Sequence, residues 1–127
     1  MTENEIAKQI VDACFKIHTK LGPGLLESVY EAILAYERQK RGLHGVRQKG
    51  IPVVYESVRM NFGFRADLIV EGKVIVELKS VEVLHPVCKK ILLTYLRMMD
   101  KRLGLLVNLG EAFIKDGITR VVNNLAE

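Results

Sequence analysis

The sequence predicts an α/β fold, a mixed β-sheet flanked by α-helices. Three observations lead to it. Two amphipathic helical patterns open the chain, a block of alternating strand-like segments fills its middle, and a helix followed by a nearly continuous apolar run leads into the last strand. No segment repeats and no evident linker interrupts this order, so residues 1–127 are expected to form one domain.

The first helix is predicted over Glu3 to Leu21, where Ile6, Ile10, Cys14, Ile17 and Leu21 recur every three or four residues and form one apolar stripe. Gly22-Pro23-Gly24 breaks it. A second helical pattern runs from Leu25 to about Arg41 through Leu26, Val29, Tyr30, Ile33 and Leu34, with Gly42 as its stop. Strands are then expected at Val46 to Tyr55, with Pro52 marking an edge or bulge, at Val58 to Phe62, at Phe64 to Val70 and at Val74 to Lys79. Glu71-Gly72-Lys73 reads as a tight hairpin loop. Pro86 to Met99 returns to helical spacing, with Val87, Ile91, Tyr95 and Met98 on one side and Leu92, Leu96 and Met99 beside it, so two faces of this helix are expected to be covered. Leu103 to Leu109 is apolar enough for a strand buried on both faces, and Ile118 to Val122 follows the Lys115-Asp116-Gly117 turn as the last strand.

Composition sets the outer limits. The chain has 127 residues, 49% of them hydrophobic and 27% charged, with three prolines, which is enough for a modest core and argues against disorder. No apolar run approaches the ~18 to 20 residues of a spanning helix, and MTENEIAKQI lacks the basic start and apolar stretch of a leader, so a soluble cytoplasmic protein is expected. Cys14 and Cys88 lie in helical patterns without metal-ligand spacing and are expected to be free thiols. The net charge of +4 is compatible with a polyanionic partner without requiring one.

Chemistry concentrates in FRADLIVEGKVIVELKS. Along Val74 to Leu78, alternation turns Val74, Val76 and Leu78 one way and Ile75, Glu77 and Lys79 the other, so a carboxylate and an ammonium share one face of an otherwise apolar strand. Charges beside a core are costly unless paired or bound to a metal. Asp67 lies on the preceding strand. If Glu71, Gly72 and Lys73 all belong to the loop, Asp67 faces Glu77 and joins that face; if the loop is Glu71-Gly72 alone, Asp67 faces Val76 and points away. On the first register, Asp67, Glu77 and the backbone carbonyl of Leu78 make a hard oxygen donor set suited to Mg²⁺ or Mn²⁺, with Lys79 beside it. Such a metal activates water and neutralises phosphate charge, which outlines phosphodiester hydrolysis. A buried Asp-Lys-Glu ion-pair network accounts for the same three residues structurally.

The stretch Gly24-Leu25-Leu26-Glu27-Ser28-Val29-Tyr30 resembles the name-giving motif of the GxxExxY proteins, a family placed in the PD-(D/E)XK nuclease superfamily. Similarity continues in order through Arg65-Ala66-Asp67-Leu68, Val76-Glu77-Leu78-Lys79-Ser80, Tyr95-Leu96 and Gly104-Leu105-Leu106-Val107-Asn108, over about residues 10 to 122. The resemblance implies a restriction-endonuclease-like core in which Asp67 and Glu77 bind a divalent metal, Lys79 is the catalytic lysine and Glu27 approaches as a further acidic group. One position departs from the pattern. Relatives commonly carry a glutamine four residues before the tyrosine of the following helix, where this chain has Ile91 before Tyr95, and isoleucine makes none of the hydrogen bonds of an amide.

Read from the residues, Glu27, Tyr30, Glu31 and Leu34 fall on one stripe of the second helix, so Glu27 can look toward the sheet; a solvated helix-start glutamate is the plainer alternative. Tyr30 reads either as core packing with a hydrogen-bonded hydroxyl or as a substrate contact. Arg65, two residues before Asp67 on the same strand face, lies where a phosphate would sit, and Tyr95 completes the candidate substrate-binding set. His18, His44 and His85 are scattered and expected to pack or face solvent. The basic residues near 38–49 and 89–102 are phosphate contacts or solvated faces. Together these readings lead to a Mg²⁺- or Mn²⁺-dependent nuclease acting on DNA, with RNA open and a homodimer or partner needed for target choice. The competing expectation is a catalytically silent nuclease-like module that binds nucleic acid or protein.

Overall fold

The computed structural model describes residues 1–126, leaving aside the side chain of Phe62. The elements are α1 (Glu3–Leu21), α2 (Glu27–Lys40), β1 (Gly45–Tyr55), β2 (Val58–Val70), β3 (Val74–Lys79), α3 (Val87–Met99), β4 (Leu103–Asn108) and β5 (Ile118–Val122), with a 3₁₀ turn at Ile114–Gly117. One five-stranded sheet runs in the order β1-β2-β3-β4-β5. The pair β3/β4 is parallel and the others are antiparallel, so the sheet is mixed as predicted. The parallel pair follows from the chain itself, because α3 carries it from the end of β3 back to the start of β4.

Helix α1 forms where the stripe predicts. Thr2 and Glu5 close a capping box, with Glu5 N–H donating to Thr2 Oγ1 at 3.2 Å and Thr2 N–H donating to Glu5 Oε1 at 3.0 Å. Its buried face, Ile6, Ile10, Ala13, Cys14 and Ile17, packs with Tyr30 and Leu34 of α2 on one side of the sheet. Each fully buried branched or aromatic side chain there contributes about 1.5–3 kcal/mol of transfer free energy. Glu37 of α2 ties the two helices by accepting Lys16 Nζ at 3.0 Å. The opposite side of the sheet carries α3, with Leu92, Tyr95 and Leu96 packed on Ile69, Ile75 and Leu106. The strands β3 and β4 lie between the two cores, and for that reason they are apolar on both faces. Cys14 belongs to one core and Cys88 packs on the other, so they remain free thiols, and burial pushes the Cys14 thiol up to about 12.

Two expectations change. The segments 58–62 and 64–70 form one continuous strand, because β2 pairs with β1 along its length, apart from an irregularity between Ile51 and Val53. Helix α3 buries one face, not two: Val87, Ile91 and Met98 are each about 40% exposed, since nothing among the described residues covers the side away from the sheet. The part of β2 before Leu68 pairs only with β1, so the β1/β2 hairpin projects as a two-stranded arm beyond the three β2/β3 pairs. No helix is long and apolar enough to cross a membrane.

Asn108, at the end of β4, is 1% exposed and fastens the chain after β3. Its Oδ1 accepts Val81 N–H at 3.1 Å and Gly110 N–H at 3.0 Å, while its Nδ2 donates to Val81 C=O at 3.0 Å. Asn108→Ala strands three backbone groups and is expected to lower stability by about 2–4 kcal/mol, read from urea denaturation; a loss under 1 kcal/mol would mean that water replaces the clamp.

Candidate functional site

The hairpin between β2 and β3 takes the three-residue form. Val70 pairs with Val74 and Leu68 with Val76, which brings Asp67 opposite Glu77. Glu71 and Gly72 both adopt the left-handed region, and the strain at Glu71 is offset by its N–H donating to His44 C=O at 2.8 Å. Beyond Leu68 the β2/β3 ladder ends, and side chains take over from backbone. Glu77 Oε1 accepts the Asp67 N–H at 3.0 Å, and Asp67 Oδ2 accepts the Leu78 N–H at 2.9 Å.

Alternation does not hold at Asp67. Ala66 and Leu68, two residues apart, lie in opposite cores. The partner strand shows the same break, since Gln48 has φ +50° and both Arg47 and Gln48 reach Glu31 on α2. Asp67 is thereby turned toward α2, and it meets Glu77 in the opening between the strands rather than on one shared face as alternation predicts.

A pocket of about 210 Å³ opens here, lined by Glu27, Ser28, Glu31, Gln48, Asp67 and Leu78. Glu27 is exposed at the first turn of α2 and opens onto this pocket. Its position follows from Tyr30, which is fully buried: the hydroxyl donates to Gly22 C=O and accepts Leu25 N–H at 3.2 Å, and Leu25 C=O in turn accepts Ser80 Oγ–H at 2.6 Å. The tyrosine thus pins the turn before α2 to the residue after Lys79. Of the two readings of Tyr30, packing with a bonded hydroxyl describes this structure and substrate contact does not.

Glu77 is 9% exposed, and burial, reinforced by the Asp67 carboxylate, pushes its pKa up to about 8. Lys79, half-buried and on the same side of β3 by alternation, pulls it the other way. Tyr95 approaches from α3: it is 8% exposed, its ring centroid lies 5.2 Å from that of Phe64, and burial followed by the Glu77 and Asp67 charges raises its pKa. Arg65 is exposed and lies outside the carboxylate pocket, in a neighbouring trough that shares Gln48. Ile91 is on the open side of α3, 40% exposed.

Sequence reasoning missed Gln48 and underrated Glu31. Gln48 donates through Nε2 to Glu31 and to Asp67 Oδ1 at 3.3 Å, and Arg47 donates to Glu31 Oε2 at 3.0 Å, which makes Glu31 the anchor of the β1 side of the pocket. Glu31 had a signal, four residues after Glu27 on one stripe; Gln48 had none. His18 holds its Nε2 2.7 Å from Glu111 C=O, and His85 Nδ1 accepts Val87 N–H at 3.0 Å at the start of α3.

Among the described residues no cluster of three or more His, Cys, Asp or Glu side chains has metal-site spacing. The donors at the strand opening still fit a hard divalent cation of the Mg²⁺ type, which takes one or two carboxylates and keeps its remaining positions for water and phosphate. Two carboxylates in contact, one of them held above its ordinary pKa by burial and then by the other, are an arrangement that a cation relieves. The Leu78 N–H points to Asp67, and the carbonyl of a strand residue points the same way, into this opening.

Neither a search of curated proteins nor one of solved structures found a match. A family model described as the PD-(D/E)XK nuclease superfamily matches residues 4–121, spanning every helix and strand above apart from the first residue of α1 and the last of β5. With a mixed sheet of the expected kind and the matched region covering nearly the whole sequence, the chain belongs to the PD-(D/E)XK nuclease superfamily.

Proposed function

We propose that this chain, as one nuclease-like domain over residues 1–127, is a Mg²⁺- or Mn²⁺-dependent phosphodiesterase acting on DNA in the cytoplasm. PD-(D/E)XK nucleases generally use divalent metal ions, and the superfamily implies a nucleic-acid substrate. The observation that carries the reading is the meeting of Asp67 and Glu77 at the end of the β2/β3 ladder, with Lys79 one alternation step further along β3. The motif Gly24-x-x-Glu27-x-x-Tyr30 supports a finer placement in the GxxExxY family.

Asp67, Glu77 and the Leu78 carbonyl would hold the metal, which when bound supplies an activated water and neutralises phosphate charge. Asp67 and Glu77 are held for that task by backbone N–H groups, so their free lone pairs face the opening without side-chain reorganisation. Lys79 lowers the proton affinity of Glu77 and stands ready to steady negative charge on the phosphate. Glu27, exposed across the pocket from Asp67, accepts a hydrogen bond from incoming water or takes up its proton. Tyr30 acts as a positioning residue for Glu27, and Tyr95 packs against the carboxylates from the α3 side.

The test pairs calorimetric titration of Mn²⁺ with cleavage of single- and double-stranded DNA and RNA. Binding at millimolar metal or tighter and cleavage abolished by EDTA are the expected results. Absence of both would favour the catalytically silent binding module, for which Ile91 on the open face of α3 is the supporting feature.

A further inference from the structure

The β1/β2 arm carries a polar trough that leads away from the carboxylate pocket. Its volume is about 390 Å³, and its walls include Gln48, Gly50, Asn61, Gly63 and Arg65. Gln48 belongs to both depressions and hydrogen-bonds Asp67, so the trough and the pocket adjoin across its side chain. The floor is kept low by glycine. A side chain at Gly50 would project into open space, and one at Gly63 would come 2.7 Å from Val53 Cγ2 and 2.8 Å from Ile51 C=O.

Two arginines border this face. Arg65 pairs with Gly50 and lines the trough, while Arg59 pairs with Val54 beyond the irregularity between Ile51 and Val53 and reaches the trough through its wall residue Asn61. Arg59 is fixed by donating from Nε to Asn61 Oδ1 at 2.9 Å, which leaves the ends of its guanidinium without a protein partner among the described residues; Arg65 has no ion pair or hydrogen bond among them. Both are exposed. Glu56, at the hairpin turn, is the one acidic residue between positions 46 and 66, against Arg47, Lys49, Arg59 and Arg65. Arg47 is already committed to Glu31.

From these features we infer that the trough binds the phosphodiester backbone of a nucleic-acid strand, with Arg59 and Arg65 neutralising consecutive stretches of phosphate on its way to Asp67 and Glu77. This rests on the nuclease reading and adds the path by which substrate reaches the site. Phosphate contacts of this kind position a strand without reading its sequence, so the arm is expected to be indifferent to base order. Unpaired on the β3 side, the arm can follow either a duplex or a single strand.

The experiment measures anisotropy of labelled single-stranded and duplex oligonucleotides in EDTA across a potassium chloride series. Arg59→Ala/Arg65→Ala is expected to reduce the slope of log K against log salt by about 1.8 for a duplex or about 1.4 for a single strand, equally for unrelated sequences. Arg59→Lys/Arg65→Lys is expected to restore the slope, which a folding defect would not allow. Removing the same charge on α3, as Lys89→Ala/Lys90→Ala, should leave the slope unchanged. An unchanged slope in the arginine variant, or an equal drop in the α3 variant, overturns the trough while cleavage by the wild type keeps the nuclease reading. A wild type that neither binds nor cleaves overturns both.

Discussion

Lys79→Ala should slow metal-dependent cleavage by about 10²–10³-fold while leaving the thermal midpoint nearly unchanged. The rate loss is the size expected when one preorganised charge is removed from a developing phosphate charge, about 2.7–4 kcal/mol. The small stability effect follows from the contacts. Lys79 is half-buried and its ammonium makes no hydrogen bond or ion pair among the described residues, so its truncation strands no partner. What it does supply is a field at Glu77 that favours the ionised carboxylate. Its removal should therefore move the acid limb of the pH-rate profile upward, a readout that a loss of packing would not produce. Lys79→Arg keeps the charge on a different geometry and should recover only part of the rate. Single-turnover cleavage gives both numbers, and equal rates for wild type and Lys79→Ala would assign the cleavage to a contaminant or another site.

The second large effect is on stability. In metal-free buffer the protein should lose several kcal/mol of unfolding free energy as pH rises from about 4.5 to about 8. Glu77 has an ordinary carboxyl pKa in the unfolded chain and one raised to about 8 in the fold, where burial and then Asp67 disfavour its charge. Across that window the native state holds a proton that the unfolded state has released, so stability falls with pH at up to about 1.4 kcal/mol per unit. Glu5 and Glu37, whose pKa values are lowered, act with the opposite sign but below pH 4.5. Glu77→Gln removes the titration and should flatten the profile, leaving the variant more stable than wild type at pH 8 without metal. Saturating Mn²⁺ should restore the wild type at pH 8 and not the variant. Urea midpoints across pH decide it: a wild-type profile as flat as that of the variant would show that Glu77 is ionised and solvated in the fold.

The same carboxylate illustrates how far sequence reaches. That Glu77 and Lys79 share a side of β3 is a period-two statement about six consecutive residues, and it needed no fold. The limits of α1, β3 and β5 were legible for the same reason, because apolar spacing within one element records the face that the element buries. The strand break expected near residue 63 is instead an irregularity within one strand, since β2 runs from Val58 to Val70 while its register against β1 shifts between Met60 and Phe64. The exposed side of α3 was also hidden, because apolar residues at helical spacing mark what can be buried without saying whether a partner is present.

By itself, then, the sequence determined the order of elements, the mixed sheet and the acidic-and-lysine segment between β2 and β3. Only the tertiary structure decided how those residues meet. The β2/β3 register turned on Glu71 accepting a left-handed conformation, stabilised by His44 from the loop before β1. The turning of Asp67 toward α2 depended on Gln48 and Glu31, nineteen and thirty-six residues before it in the chain. Such contacts have no local period, because their stability comes from surfaces that exist only after the sheet and helices have packed. The place of Tyr30 was settled in the same way, by carbonyl and amide groups that the Gly22-Pro23-Gly24 turn presents only in the folded chain.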